Sequence, residues 1–206
     1  MKPLLVLAAF PVVLMGWASC SHSGTGHAAL PDPRAVDKSV PEYKNPFHPS
    51  TYAHFVARKD YRKTYDVYKD DTLLNRQPKK SRKIFVCLDE QRGQYLVDGL
   101  VAMDFPLSSG VKAYPTKTGD YAVISKKEDH ASNLYGKMYD AEGKCINYNA
   151  ESTDPIPEGG RFDGSPMPYW QRLTNAGLGL HVGKVRRHPV SHGCVRLPRN
   201  VAEILY

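Results

Sequence analysis

The strongest constraint on this 206-residue chain is a block of reactive side chains close to its C-terminus. It reads Gly-Leu-His-Val-Gly over 179–183 and Ser-His-Gly-Cys-Val-Arg-Leu-Pro over 191–198. The thiolate is the nucleophilic form of cysteine, and a free thiol with a pKa of ~8.5 needs a partner to react near neutral pH. His181 is the expected partner of Cys194, and the segment between them must fold back because they are too far apart for one helical turn.

The residues around Cys194 suit acyl chemistry. Gly193 leaves the backbone bare beside the sulfur, so the N–H groups here are predicted to receive the oxyanion of a tetrahedral intermediate. Ser191 and His192 are predicted to orient the neighbouring loops.

A metal site is the main alternative, since His181, His188, His192 and Cys194 are all potential ligands. Their spacing matches no zinc pattern, and carboxylates are absent nearby. We therefore favour nucleophilic catalysis over a metal site or a purely structural cluster.

The two blocks together resemble the signature of the L,D-transpeptidase catalytic domain, the cysteine enzymes that cross-link peptidoglycan. The resemblance implies that Cys194 is the nucleophile, His181 the base and the Val182 carbonyl the group that orients the imidazole. The N–H groups of Gly193 and Cys194 would form the oxyanion hole. Because a thiolate–imidazolium pair is attractive, we expect a lowered thiol pKa and a raised imidazole pKa.

Further residues are candidates for contact with substrate. The resemblance marks Arg196 as the motif arginine, which pins the loop or meets a substrate carboxylate, and Ser191 and His192 lie beside it. Tyr169 and Trp170 are predicted to line the pocket, with Tyr169 donating a hydrogen bond to the oxyanion. Plain packing is the alternative for both aromatic residues.

The N-terminus has the pattern of a secretory signal peptide over residues 1–19. Lys2 precedes an apolar run, and Ala-Ser-Cys follows at 18–20. This ending resembles a bacterial lipobox, so Cys20 is predicted to be a lipid anchor; ordinary cleavage nearby with an incidental Cys20 is the alternative. Either way we expect an exported protein of the bacterial cell envelope or periplasm.

Export affects how the charge and the other cysteines are interpreted. The net charge of +7 would suggest nucleic acid in a cytosolic protein, but here an anionic envelope is the expected partner and nucleic acid is not. Cys87 and Cys145 can pair in an oxidising compartment, or Cys87 can be a buried free thiol.

The chain is predicted to have three parts after the signal peptide. Residues 20–50 are a Pro-rich flexible linker, 51–82 a charged, Tyr-rich lead-in with a short helix over Tyr52–Arg62, and 83–206 the catalytic domain. Residues 126–161 are predicted to be a long loop, with a short strand at Ile146–Asn149, that forms a wall or lid of the substrate groove.

Short strands with Gly and Pro punctuation predict a mainly β fold, a sandwich or barrel-like domain with few short helices. The predicted strands are Lys83–Asp89, Gln94–Val97, Leu100–Leu107, Asp120–Ser125 and Gly177–Val182. Asp98-Gly99 predicts a hairpin turn. A helix is expected over Asn200–Tyr206, and the resemblance implies one further strand, so the domain is expected to lack its last strand.

The resemblance implies a reaction that needs no metal or cofactor. Cys194 would attack the carbonyl after the third residue of a peptidoglycan tetrapeptide stem, release D-Ala and pass the acyl group to an amine of a second stem. Two other functions remain: a cysteine hydrolase of the same fold (an L,D-carboxypeptidase), and a catalytically silent wall-binding lipoprotein. The intact Cys194 and His181 argue against the silent protein.

Overall fold

A computed structural model describes residues 12–15, 47–77 and 81–206. Most of the predicted signal peptide, the anchor residue Cys20 and the linker up to residue 46 lie outside the described residues. Within the described part, no helix is long and apolar enough to cross a membrane. The fold is mainly β, as predicted, and its three sheets do not close into a barrel.

The elements are short. The helices are α1 (Tyr52–Ala57), α2 (Asp71–Asn75) and α3 (Arg199–Leu205). The strands are β1 (Val12–Met15), β2 (Tyr68–Lys69), β3 (Arg82–Cys87), β4 (Arg92–Val97), β5 (Leu100–Pro106), β6 (Gly119–Ala122), β7 (Ser125–Lys127), β8 (Ala131–Tyr139), β9 (Cys145–Glu151), β10 (Arg161–Pro166), β11 (Trp170–Arg172), β12 (Gly179–Val182) and β13 (Val195–Leu197).

The largest sheet has the order β2-β5-β4-β3-β1-β6. Its hairpin between β4 and β5 turns at Asp98-Gly99, where both residues have positive φ angles of 51° and 82°. Two successive positive φ angles define a type I′ turn, whose twist matches that of the strands it joins. The predicted hairpin is therefore confirmed.

A four-stranded sheet with the order β13-β12-β11-β7 carries the reactive block. Successive side chains of a strand point to opposite faces. One face buries Leu180, Val195 and Leu197 in the core, at no more than 1% exposure. The other face carries His181 and Arg196.

Residues 126–161 are not a long loop, which corrects the sequence-based prediction. β8, β9 and β10 form a three-stranded antiparallel sheet in the order β10-β8-β9. Both faces are largely exposed, and Met138 and Ala150 are its buried apolar side chains. A sheet with so few buried positions lacks the apolar alternation by which strands are found in a sequence.

The lead-in is fastened to the large sheet by a buried carboxylate. Tyr52 and Tyr61 donate hydrogen bonds of 2.8 and 2.6 Å to Asp104 Oδ2. Arg92 donates through Nε to Oδ1 at 2.7 Å. The predicted helix ends early, at Ala57, and a single 3-10 turn brings Tyr61 into this network.

Cys145 is a free, half-buried cysteine, so it does not pair with Cys87. Cys87 is disulfide-bonded, so the predicted alternative of a buried free thiol is wrong as well.

Candidate active site

The strand register brings the reactive side chains to one face. β12 and β13 are parallel, with His181 paired to Arg196 and Leu180 to Val195. Paired residues on neighbouring strands point to the same face, so His181 and Arg196 lie side by side. Cys194 precedes β13 by one residue, and continuing the register places it opposite Gly179.

His181 is 6% exposed and is held by its neighbour's backbone. Its Nδ1 lies 2.8 Å from the carbonyl oxygen of Val182. A carbonyl only accepts, so Nδ1 carries the proton and Nε2 has the free lone pair. Burial lowers the pKa of His181 to about 4, with smaller effects in the same direction from the charges of Arg196 and His130 and an opposing effect from the Val182 bond.

The Cys194 thiol is also governed by burial. Its Sγ donates to the carbonyl of Gly177 at 3.3 Å, and no hydrogen bond of the described residues joins it to His181. Burial raises the pKa of the Cys194 thiol, against smaller lowering effects from the Gly179 backbone and the Arg196 charge. These directions are opposite to those expected for a thiolate–imidazolium pair, because burial disfavours the charged form of both groups.

Ser191 shapes the loop that carries the nucleophile. Its hydroxyl donates to the Cys194 carbonyl at 2.5 Å and accepts the Gly193 N–H at 3.2 Å. Ser191 is buried, at 3% exposure, and its hydroxyl is engaged within the loop. Of the two predicted oxyanion donors, the Gly193 N–H is thus already engaged, whereas the described hydrogen bonds do not include the Cys194 N–H.

The segment after β5 holds this loop from outside, a role that the sequence did not reveal. Thr116 Oγ1 donates to the Gly193 carbonyl at 2.6 Å and accepts the Gly110 N–H at 2.8 Å. A Cβ on Gly110 would lie 2.8 Å from Gly193 Cα, so the two backbones touch here. The Ser-Ser-Gly and Pro-Thr-x-Thr-Gly motifs over 108–119 are the signal that marks this support.

An aromatic cluster joins the motif to the three-stranded sheet. The exposed His192 ring stacks on Tyr135 of β8 at 4.2 Å between centroids and lies 4.7 Å from Tyr114. The sheet formed by β8, β9 and β10 therefore lies against the catalytic loop, in the position expected for a groove wall.

The side chains of Trp170 and Tyr169 lie in different places, although both were predicted to line the pocket. Trp170 shares the face of His181, with 6.1 Å between the ring centroids. Tyr169 is the preceding residue, with a positive φ of 54°, and its ring contacts Tyr206 at 5.4 Å and the Arg199 guanidinium at 5.7 Å. Tyr169 thus packs against the C-terminal helix, and the structure does not bring it to Cys194.

Arg196 places a positive charge beside Cys194. Its aliphatic stem lies over Gly183, where a Cβ would meet the Arg196 Cγ at 2.8 Å. No described carboxylate lies within ion-pair distance of its half-buried guanidinium. Arg196 is therefore available to an anionic group of a ligand, as well as to the thiolate.

The lead-in also supports the loop between His181 and Ser191. The Arg187 guanidinium donates to the carbonyls of Arg62 and Lys63. The adjacent Arg186 N–H donates to Ser108 Oγ at 2.8 Å. His188 in the same loop is exposed.

Comparison with solved structures returns L,D-transpeptidases. The catalytic domain from Enterococcus faecium is 27% identical, with 61% of this chain and 88% of that chain covered and a TM-score of 0.42. An enzyme from Stackebrandtia nassauensis is 22% identical, with 75% and 58% covered and a TM-score of 0.43. One from Mycobacterium smegmatis is 21% identical, with 56% and 48% covered and a TM-score of 0.41, so the chain spans about half of that protein. No curated protein matches.

Residues 81–206 match the sequence family described as the L,D-transpeptidase catalytic domain, YkuD. The match covers more than half of the chain and contains every residue of the face just described. The chain belongs to the L,D-transpeptidase catalytic domain family.

Proposed function

We propose that this protein is a peptidoglycan L,D-transpeptidase that works through a thioester on Cys194. The observation that carries the proposal is the face on which Cys194, a neutral His181 and Arg196 meet, with Nδ1 of His181 bound to the Val182 carbonyl. That bond leaves Nε2 as the basic nitrogen, which is the requirement for a general base. The stem peptides of peptidoglycan are the proposed substrate.

The first half of the reaction forms the acyl-enzyme. The thiol rotates from the Gly177 carbonyl toward His181, whose Nε2 takes the proton as Sγ attacks the carbonyl after the third residue of a tetrapeptide stem. The Cys194 N–H donates to the oxyanion. The intermediate collapses with cleavage of the amide bond, and His181 returns the proton to the amine of the departing D-Ala.

The second half transfers the acyl group. An amine of a second stem attacks the thioester carbonyl, and His181 accepts the proton that this amine loses. The C–S bond breaks, the thiolate takes the proton from His181, and an amide cross-link leaves the enzyme. Water in place of the amine gives a carboxylic acid, which is the carboxypeptidase product.

The test is mass spectrometry of products from purified muropeptides. Wild-type protein should release D-Ala and form cross-linked dimers, and Cys194→Ala should do neither. A His188→Ala variant is the control, because this exposed loop histidine should leave turnover unchanged. Release of D-Ala with hydrolysed monomers alone, even at high acceptor concentration, would identify an L,D-carboxypeptidase instead.

The protein in this proposal works in the bacterial cell envelope, anchored to the membrane through lipidated Cys20. The support is the sequence of residues 1–20, most of which lie outside the described part. Processing before Cys20 would remove β1, which pairs with β3 and β6. Intact mass of protein from native membranes tests this, since an unmodified Cys20 would contradict it.

A further inference from the structure

A basic cavity opens on the same sheet face as Cys194. It has a volume of about 520 Å³ and is lined by Ser125, Lys126, Lys127, His130, Ala131, Asn133, Trp170 and Arg172. The cations that face the cavity are Lys127, Arg172 and, when protonated, His130, and no carboxylate lines it. Lys126 lines it without its ammonium group, which donates to the carbonyls of Leu205 and Tyr206 on the other face of the sheet. Glu128 and Asp129 lie between Lys127 and His130 in sequence, yet neither lines the cavity.

The strand register aligns this cavity with the nucleophile. Arg172 of β11 pairs with Gly179 of β12 on one side and with Ser125 of β7 on the other. Since Cys194 lies opposite Gly179, one row across the sheet runs from Cys194 to Gly179 to Arg172. The next row runs from Arg196 through His181 and Trp170 to Lys127.

The separation suits a peptide substrate. Neighbouring strands lie about 4.8 Å apart, so Arg172 is roughly 10 Å from Cys194 along its row. An extended peptide advances about 3.4 Å per residue, so this gap corresponds to about three residues. The Trp170 indole packs directly over Gly179 between the two sites, because a Cβ on Gly179 would lie 2.5 Å from the ring. An extended peptide that joins the two sites would therefore pass over this indole.

Two cationic groups of the cavity, those of Lys127 and Arg172, are available for a ligand. Neither Lys127 nor Arg172 forms an ion pair within the described residues. The Nε1–H of Trp170 is buried and has no acceptor there. The charges of Lys127 and Arg172 help burial to lower the pKa of His130, so the positive potential of both cations acts inside the cavity. Cationic donors without an ion-pair partner, in a cavity whose lining has no carboxylate, are complementary to an anion.

We propose that this cavity is a substrate subsite in which Lys127 and Arg172 bind a carboxylate of the stem peptide, about three residues from the reacting carbonyl. It would fix the register of the stem along the sheet face, so that a given carbonyl meets Cys194. The inference rests on the proposed transpeptidase function, and it adds a specificity site to it. Inorganic phosphate is also an anion that accepts hydrogen bonds from Lys and Arg. The test must therefore distinguish binding of phosphate from binding of a peptide carboxylate.

The binding experiment uses the full chain with Cys194→Ala, which cannot turn over. Tetrapeptide stems with each carboxylate amidated in turn are titrated by calorimetry against this protein and against its Lys127→Gln/Arg172→Gln derivative. Amidation of one carboxylate should weaken binding about tenfold in the Cys194→Ala protein. In its Lys127→Gln/Arg172→Gln derivative the same amidation should leave the affinity unchanged. Lys59→Gln/Lys144→Gln is the matched control, because it removes the same charge from exposed side chains elsewhere and should keep the tenfold difference.

Kinetics give an independent measurement with the Cys194 enzyme. The Lys127→Gln/Arg172→Gln variant should raise KM for the free-carboxylate stem about tenfold, while kcat stays within about twofold. If the variant and the wild type distinguish equally between the free-carboxylate stem and its amidated form, the subsite is overturned. Phosphate binding that depends on the two cations, without discrimination among the peptides, would overturn it as well. Carboxylate discrimination in binding without any D-Ala release by the wild type would support the subsite and refute the proposed function.

Discussion

At the scale of single residues, burial shifts the pKa of both members of the proposed catalytic pair, His181 and Cys194. His181 has a pKa lowered to about 4, so it is neutral at working pH and can accept a proton. The Cys194 thiol has a raised pKa for the same reason. Arg196 remains as the fixed positive charge that favours the thiolate when it forms.

This assignment predicts the pH dependence of Cys194 alkylation. Because burial raises the thiol pKa, the rate with iodoacetamide should keep rising through and above the range of an ordinary thiol, with no plateau below pH 7. Arg196→Gln should shift the profile to higher pH, since it removes a charge that stabilises the thiolate. His181→Gln should shift it far less, because a neutral imidazole has no charge to lose. The measurement is peptide mapping of Cys194 across pH 5–10.

A thiolate–imidazolium pair would give a different alkylation profile. A plateau of alkylation below pH 7 that disappears in His181→Gln would show a thiolate–imidazolium pair. The general-base role of a neutral His181 would then be wrong.

At the scale of elements, the buried pair of Arg92 and Asp104 ties the lead-in to the large sheet. The two side chains are 2% and 0% exposed, and Tyr52, Tyr61 and Gln94 also donate to the carboxylate. Arg92 also donates to the carbonyl of Asp66 at 3.0 Å. A buried charge with this many partners costs much to leave unpaired.

Asp104→Asn should therefore lower the free energy of unfolding by about 3–5 kcal/mol, because it leaves the Arg92 charge buried without a partner. Asp163→Asn is the control, since Asp163 forms an ion pair with Arg161 in which both side chains are about half exposed. The control should cost at most about 1 kcal/mol. Urea unfolding of both variants measures the difference. Similar losses in the free energy of unfolding would contradict the stabilising role of the buried Arg92–Asp104 pair.

Elements differed in how well the sequence predicted them, for physical reasons. Asp98-Gly99 specifies its turn locally, since both residues tolerate positive φ, and the hairpin was found. Of the three strands β8 to β10, only the Ile146–Asn149 part of β9 was predicted. The others were missed because their register depends on contacts such as Gly136 against Asp163, where a Cβ would lie 2.1 Å from the carbonyl oxygen. Such close backbone approaches leave no pattern in a single sequence.

At the scale of the whole molecule, the catalytic block was predictable and its surroundings were not. Cys194 and His181 stand in a specific motif, and the sequence predicted that the chain folds back between them, as the pairing of β12 with β13 does. Burial depends on the complete fold, so the reversed pKa shifts could not. The support from Thr116 and the anchoring of Arg187 by the lead-in join segments far apart in sequence, which only the tertiary structure brings together.

The central claim is that Cys194 carries the acyl group, and intact-protein mass spectrometry tests it directly. Rapidly quenched mixtures of the protein with a tetrapeptide stem should contain an adduct whose mass is that of the stem minus D-Ala. Digestion should map it to Cys194 and leave the free Cys145 unmodified. Release of D-Ala without any adduct on Cys194, or with an adduct on Cys145, would contradict the account.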